Sequence, residues 1–80
     1  MKIPRDLSGE HLVKVLCRSW GYYIIHQQGS HIVLETAEPS RQRIVVPAHH
    51  QLRVGTLSSI LRLVAQHKGI ERETILHSLR

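Results

Sequence analysis

A change of hydrophobic period at Gly21 constrains the fold more than any other feature of the chain. Upstream of it, Leu12, Val13, Leu16, Cys17 and Trp20 recur at three- and four-residue spacing, with Lys14 and Arg18 off the stripe. That pattern predicts an amphipathic helix over residues 8–20. Ser8 can accept a hydrogen bond from an orphan amide of the first turn, Glu10 suits the positive end of the dipole, and Gly21 can take the left-handed conformation that ends the helix. Downstream, Tyr22-Tyr23-Ile24-Ile25 and Ile32-Val33-Leu34 are β-branched or aromatic runs, separated by the turn-forming Gln27-Gln28-Gly29-Ser30. Such runs fit a pleated, half-buried surface, so the stretch predicts a β-hairpin. A second turn over residues 36–41, containing Pro39 and Ser40, leads to a third strand, Ile44-Val45-Val46, before Pro47.

The remainder reads as helix. Gly55 breaks the preceding loop, and Thr56 is placed to cap a helix through Leu57, Ile60, Leu61, Leu63 and Val64 to about His67, stopped by Gly69. Residues 71–79 add a short helix in which Ile75, Leu76 and Leu79 pack back, with Glu71 and Glu73 at the favourable end of the dipole. The order predicts an α+β fold: a three-stranded antiparallel sheet with the helices on one face. Eighty residues are expected to form one domain, over 1–80, around a compact core. With no Phe, one Trp and two Tyr, that core is aliphatic.

Eleven Lys and Arg against six Asp and Glu give a formal charge of +5, and there are seven His. Excess positive charge raises the local concentration of polyanions, which makes nucleic acid the first candidate partner; an acidic protein would satisfy the same field. The single Cys17 cannot form an internal disulfide, and its place on the apolar stripe reads as core. No apolar run approaches the ~20 residues of a membrane span, and no signal-peptide pattern is present, so the expected setting is the cytoplasm with no membrane partner. HExxH, CxxC and paired carboxylates at ligand spacing are missing from the sequence, so neither metal nor other cofactor is expected.

In the second strand, alternation puts Ile32 and Leu34 on one face and His31, Val33 and Glu35 on the other. If the helices cover the Ile32 face, His31 stands beside the glycine turn on the open side of the sheet. The first strand has no such clear reading, because both Tyr22/Ile24 and Tyr23/Ile25 are apolar. His11, His67 and His77 read as helix-surface residues.

The ordered set Trp20-Gly21-Tyr22, Gln28-Gly29-Ser30-His31, Val45-Val46-Pro47 with His49, and Gly55-Thr56-Leu57 with Ile60 resembles the HicA family of bacterial toxins, small mRNA interferases also called YcfA-like proteins. The resemblance runs from about residue 8 to residue 75. It implies an α-β-β-β-α fold like that of double-stranded-RNA-binding domains, ribosome-independent cleavage of mRNA, and neutralisation by a HicB-type antitoxin. The essential histidine of the family's Gly-Ser-His motif falls on His31. Gly29 would supply the turn and Ser30 could donate to a phosphate oxygen, while the Pro47 and His49 block and Gly55-Thr56-Leu57 look structural or RNA-facing. Two positions depart from the pattern: Ile32 stands where relatives often carry a polar residue or a second His, and His26 represents the basic residues often found on strand one.

The chemistry of such a site follows from the substrate. RNA carries its own nucleophile, the 2′-hydroxyl, so an endoribonuclease needs a base for that proton and positive charge near the attacked phosphate, but no metal. An imidazole changes charge near neutrality and suits the first task, so His31, the histidine that the resemblance singles out, would be the base. Arg41 and Arg43 are the closest cations in view for the phosphorane-like charge. The proton for the leaving 5′-oxygen comes from another group or from water, with His26 and His49 both candidates. Gly29, Ser30, Arg41, Arg43, His26 and His49 together form the expected RNA- or phosphate-binding set. A non-catalytic RNA-binding module of the same fold is the main alternative, since that fold also binds duplex RNA without cutting it. A protein-interaction module with an acidic partner is a second.

Overall fold

The computed structural model describes residues 3–79. Helix α1 (Gly9–Ser19) is followed by β1 (Tyr23–Gln28), β2 (His31–Thr36), β3 (Gln42–Pro47), α2 (Val54–Lys68) and α3 (Arg72–Ser78). The strands form one antiparallel sheet in the order β1-β2-β3. The α+β class, the α-β-β-β-α order and the short C-terminal helix are therefore all as expected from the sequence.

Local chemistry explains the boundaries. The Ser8 Oγ accepts a hydrogen bond from the His11 amide at 3.0 Å and caps α1, and Gly21, at φ +76°, follows its last turn. The first hairpin is tighter than the four-residue turn expected. Pairing continues to Gln28 opposite His31, leaving a two-residue Gly29-Ser30 turn with Gly29 at φ +59°. Positive φ at that position is the requirement of the turns that match strand twist.

The core lies between the helices and one face of the sheet. Ile32, Leu34, Ile44 and Val46 point into it from β2 and β3, against Leu12, Leu16, Leu57, Leu61, Val64 and Ile75. Val15, off the expected stripe of α1, is also fully buried. Helix α1 is also tied to the C-terminal end of the chain: the His11 Nε2 lies 3.0 Å from the Leu79 carbonyl oxygen, and the Trp20 Nε1 donates to Ser78 Oγ at 3.0 Å. Cys17 is half-buried at the edge of the core, and burial pushes its thiol pKa up, away from reactivity.

Two expectations for α2 are corrected. The helix begins at Val54 with Arg53 as the extended residue before it, and the Leu57 amide donates to the Arg53 carbonyl at 2.9 Å; Gly55 and Thr56 thus lie inside the first turn, and Thr56 does not cap. Leu63 is 46% exposed, because the buried stripe is Leu57, Ile60, Leu61, Val64 and Ala65.

The β2–β3 connection is pinned to the end of α2. The Lys68 ammonium donates to Thr36 Oγ1 at 2.8 Å and to the Glu38 carbonyl at 2.6 Å, and lies 4.8 Å from the centre of the Tyr22 ring. Burial lowers the Lys68 pKa and pushes that of Tyr22 up to about 12. At the opposite end, the first turn of α1 sits against the end of β3. The Gly9 amide donates to the His49 carbonyl at 2.9 Å, and a Cβ at Gly9 would lie 1.8 Å from the Pro47 carbonyl oxygen. No helix among the described residues is long and apolar enough to cross a membrane.

Candidate active site

The face of the sheet turned away from the helices carries three cross-strand rows. Register puts Gln28, His31 and Pro47 in the row nearest the hairpin turn, His26, Val33 and Val45 in the next, and Tyr23, Glu35 and Arg43 in the last. His31 is exposed at the start of the central strand, beside the Gly29-Ser30 turn.

The ambiguity of strand one is resolved by a β-bulge. Ile24 pairs with Leu34 on the helix side, yet His26, two residues later, pairs with Val33 on the open side. Ile25 is the extra residue. It shifts the alternation so that Tyr23 before it and His26 after it share one face. An apolar residue on both sides of the pattern is what such a bulge looks like in sequence, which is why alternation alone could not assign the faces.

The row farthest from His31 is a polar cluster that the sequence reading missed. The Tyr23 hydroxyl donates to Glu35 Oε2 at 2.9 Å, and Arg43 Nη2 donates to Glu35 Oε1 at 3.2 Å. Side chains from both neighbouring strands thus reach Glu35 on β2, which is buried although it lies on the open face, as is Val33 in the next row. The Tyr23 hydroxyl, then Arg43, hold the Glu35 carboxyl below its usual pKa, and the charge of Arg41 acts in the same sense. The Tyr23 phenol is correspondingly raised, chiefly by its bond to Glu35. A carboxyl depressed in the folded state contributes stability above its unfolded pKa and loses that contribution as pH falls through the folded value. Thermal melts of the parent and of Glu35→Gln should therefore differ near neutrality and converge below the ordinary carboxylate range. A difference that persisted unchanged at acid pH would deny the cluster this role.

The structure places the two arginines away from His31. Glu35 and Arg43 lie four residues along the strand from His31, about 13 Å at the usual strand rise. Arg43 is held there by Glu35, and the field of Arg41 reaches the same carboxylate. Arg43 thus stands at the far end of the sheet face from His31.

His49 is not on the open face either. It lies in the loop after β3, where the Ala48 amide donates to the Ser30 carbonyl at 2.6 Å. There His49 lines a cleft with Ser8, Glu10, Gln27, Gly29 and Ser30, between the hairpin turn and the start of α1. Two of the helix histidines act as tethers: His11 to Leu79, and His67 Nε2 to the Ser40 carbonyl at 2.8 Å. Among the described residues, no three His, Cys, Asp or Glu side chains come together in a way that could hold a metal ion.

The family model described as HicA toxin of bacterial toxin-antitoxin matches residues 9–65, from the first residue of α1 to Ala65 in α2. The matched span includes the whole sheet and His31, and leaves α3 outside it. No curated protein and no solved structure matches the chain significantly. The match covers well over half of the 80 residues and the fold has the expected order of elements, so the chain belongs to the HicA family, the toxins of bacterial toxin–antitoxin systems.

Proposed function

We propose that this toxin is an mRNA interferase, a cytoplasmic endoribonuclease that cuts a strand lying across the open face of its sheet, and that a HicB-type antitoxin inhibits it by covering that face. The position of His31 carries this reading. The intact Gly29-Ser30-His31 motif forms the turn and first residue of the central strand, and the imidazole is exposed on the face opposite the helices.

The neutral His31 imidazole takes the proton of a ribose 2′-hydroxyl, and the resulting oxygen attacks the adjacent phosphorus. No metal is required, because the nucleophile belongs to the substrate. Ser30 stands next to the reacting group and donates to a phosphate oxygen, while Arg41 and Arg43 hold the backbone farther along the strand, where Glu35 fixes the direction of Arg43. An open site suits this division, since a polymer need not be enclosed.

Incubation of the purified protein with single-stranded RNA tests the reading. The expected products carry a 2′,3′-cyclic phosphate and a 5′-hydroxyl, form equally well in a chelator, and appear more slowly as salt rises, because phosphate contacts release counterions. RNA that is bound but recovered intact would assign the chain to the non-catalytic binding modules instead.

A further inference from the structure

The extra residue in β1 decides what stands beside His31. Bulges interrupt a ladder at the cost of an unpaired residue, and near active sites they re-aim a side chain. Here Ile25 moves His26 from the helix side of the sheet to the open face, opposite Val33. Val33 is two residues beyond His31 on the same face, so His26 and His31 occupy diagonal positions of one antiparallel pair. Such positions are about 7–8 Å apart, within reach of long and aromatic side chains. Their closest companions on that face, Val33 and Val45, are apolar, and Gln28 has no proton to give near neutrality. Tyr23 is engaged by Glu35 one row farther off, and His49 lies in the cleft toward α1.

We infer that His26 is the general acid of the cleavage, protonating the leaving 5′-oxygen while His31 removes the 2′ proton; this rests on the RNA-cleaving function proposed above. In-line displacement places the attacking and leaving oxygens on opposite sides of phosphorus, so base and acid must flank one phosphate, as two diagonal imidazoles can. The 2′-O–H proton passes to neutral His31 as the 2′-O–P bond forms. The P–O5′ bond breaks, and its electron pair takes the proton of the His26 imidazolium. The products are the 2′,3′-cyclic phosphate and the 5′-alcohol, with His31 protonated and His26 neutral; exchange with solvent restores both.

The test uses a single-stranded RNA whose cut site has first been mapped with the parent protein, remade with sulfur in place of the bridging 5′-oxygen at that bond. A thiolate leaves without help, because a thiol is a far stronger acid than an alcohol. On the oxygen substrate, His26→Ala and His26→Gln should each be slowed about 10²-fold or more, whereas on the sulfur substrate both should match the parent. Equal slowing on both substrates would make His26 a binding or structural residue, and full activity of either variant on the oxygen substrate would exclude any essential proton transfer from it; each result overturns the inference while leaving the nuclease reading intact. A parent that cuts neither substrate overturns both.

Discussion

His31→Ala is expected to slow RNA cleavage by about 10²–10⁴-fold, the contribution of a positioned general base, while melting at the temperature of the parent. The second half of that expectation comes from its setting. His31 is exposed at the first position of β2, contributes nothing to the core, and leaves its backbone pairing to Gln28 and Pro47 unchanged when the ring is removed. RNA affinity should fall little, since the cations proposed to hold the backbone, Arg41 and Arg43, lie farther along the sheet. In a host, induction of the parent should arrest growth with loss of message, and induction of the variant should do neither. Cleavage by the folded variant at the parent's rate would remove His31 from the mechanism.

Gly9→Ala is expected to destabilise the protein by about 3 kcal/mol or more, as severe overpacking does. The added methyl would lie 1.8 Å from the Pro47 carbonyl oxygen and 3.2 Å from the Ala48 Cα. Both are backbone atoms, so no side-chain rotation relieves the overlap. The first turn of α1 must instead move off the end of β3 and give up the bond from the Gly9 amide to the His49 carbonyl. Against a total stability of about 5–15 kcal/mol for an ordinary domain, the loss is large, and a domain of this length should melt on the order of 15 °C lower. Gly29→Ala offers the contrast: no atom lies within 4 Å of the added Cβ, and only its positive φ is strained. A Gly9→Ala protein as stable as the parent would refute the close approach.

Most of the architecture was legible because it depends on local chemistry. The helical stripe of α1, its Ser8 cap, the β-branched runs and the glycine at the hairpin all act within a few residues of themselves. The face occupied by His31 was legible for the same reason, since Ile32 and Leu34 alternate with it. What escaped the sequence reading depends on distant partners. Val15 is buried in the assembled core although it lies off the apolar stripe that spacing marks out, and Glu35 is held by Tyr23 and Arg43 from the strands on either side. The bulge at Ile25 belongs between these cases: its trace, apolar residues on both sides of the alternation, was visible as an ambiguity, and pairing with β2 resolves it. The separation of Arg41 and Arg43 from His31 likewise follows from register, which sequence proximity to the hairpin could not supply.

The two-residue turn has a consequence for the order of assembly. His26 and His31 are five positions apart in the chain, and β1 and β2 can pair as soon as that turn closes, an event of microseconds. Gly9 and Pro47, by contrast, are separated by most of the sheet's sequence, and their contact must wait for three strands and a helix to be in place. An isolated hairpin is marginal at best in water, so the early arrangement of imidazoles is transient until that distant junction seals. Mutations at the junction should therefore change how many molecules are competent, and mutations in the hairpin how competent each molecule is.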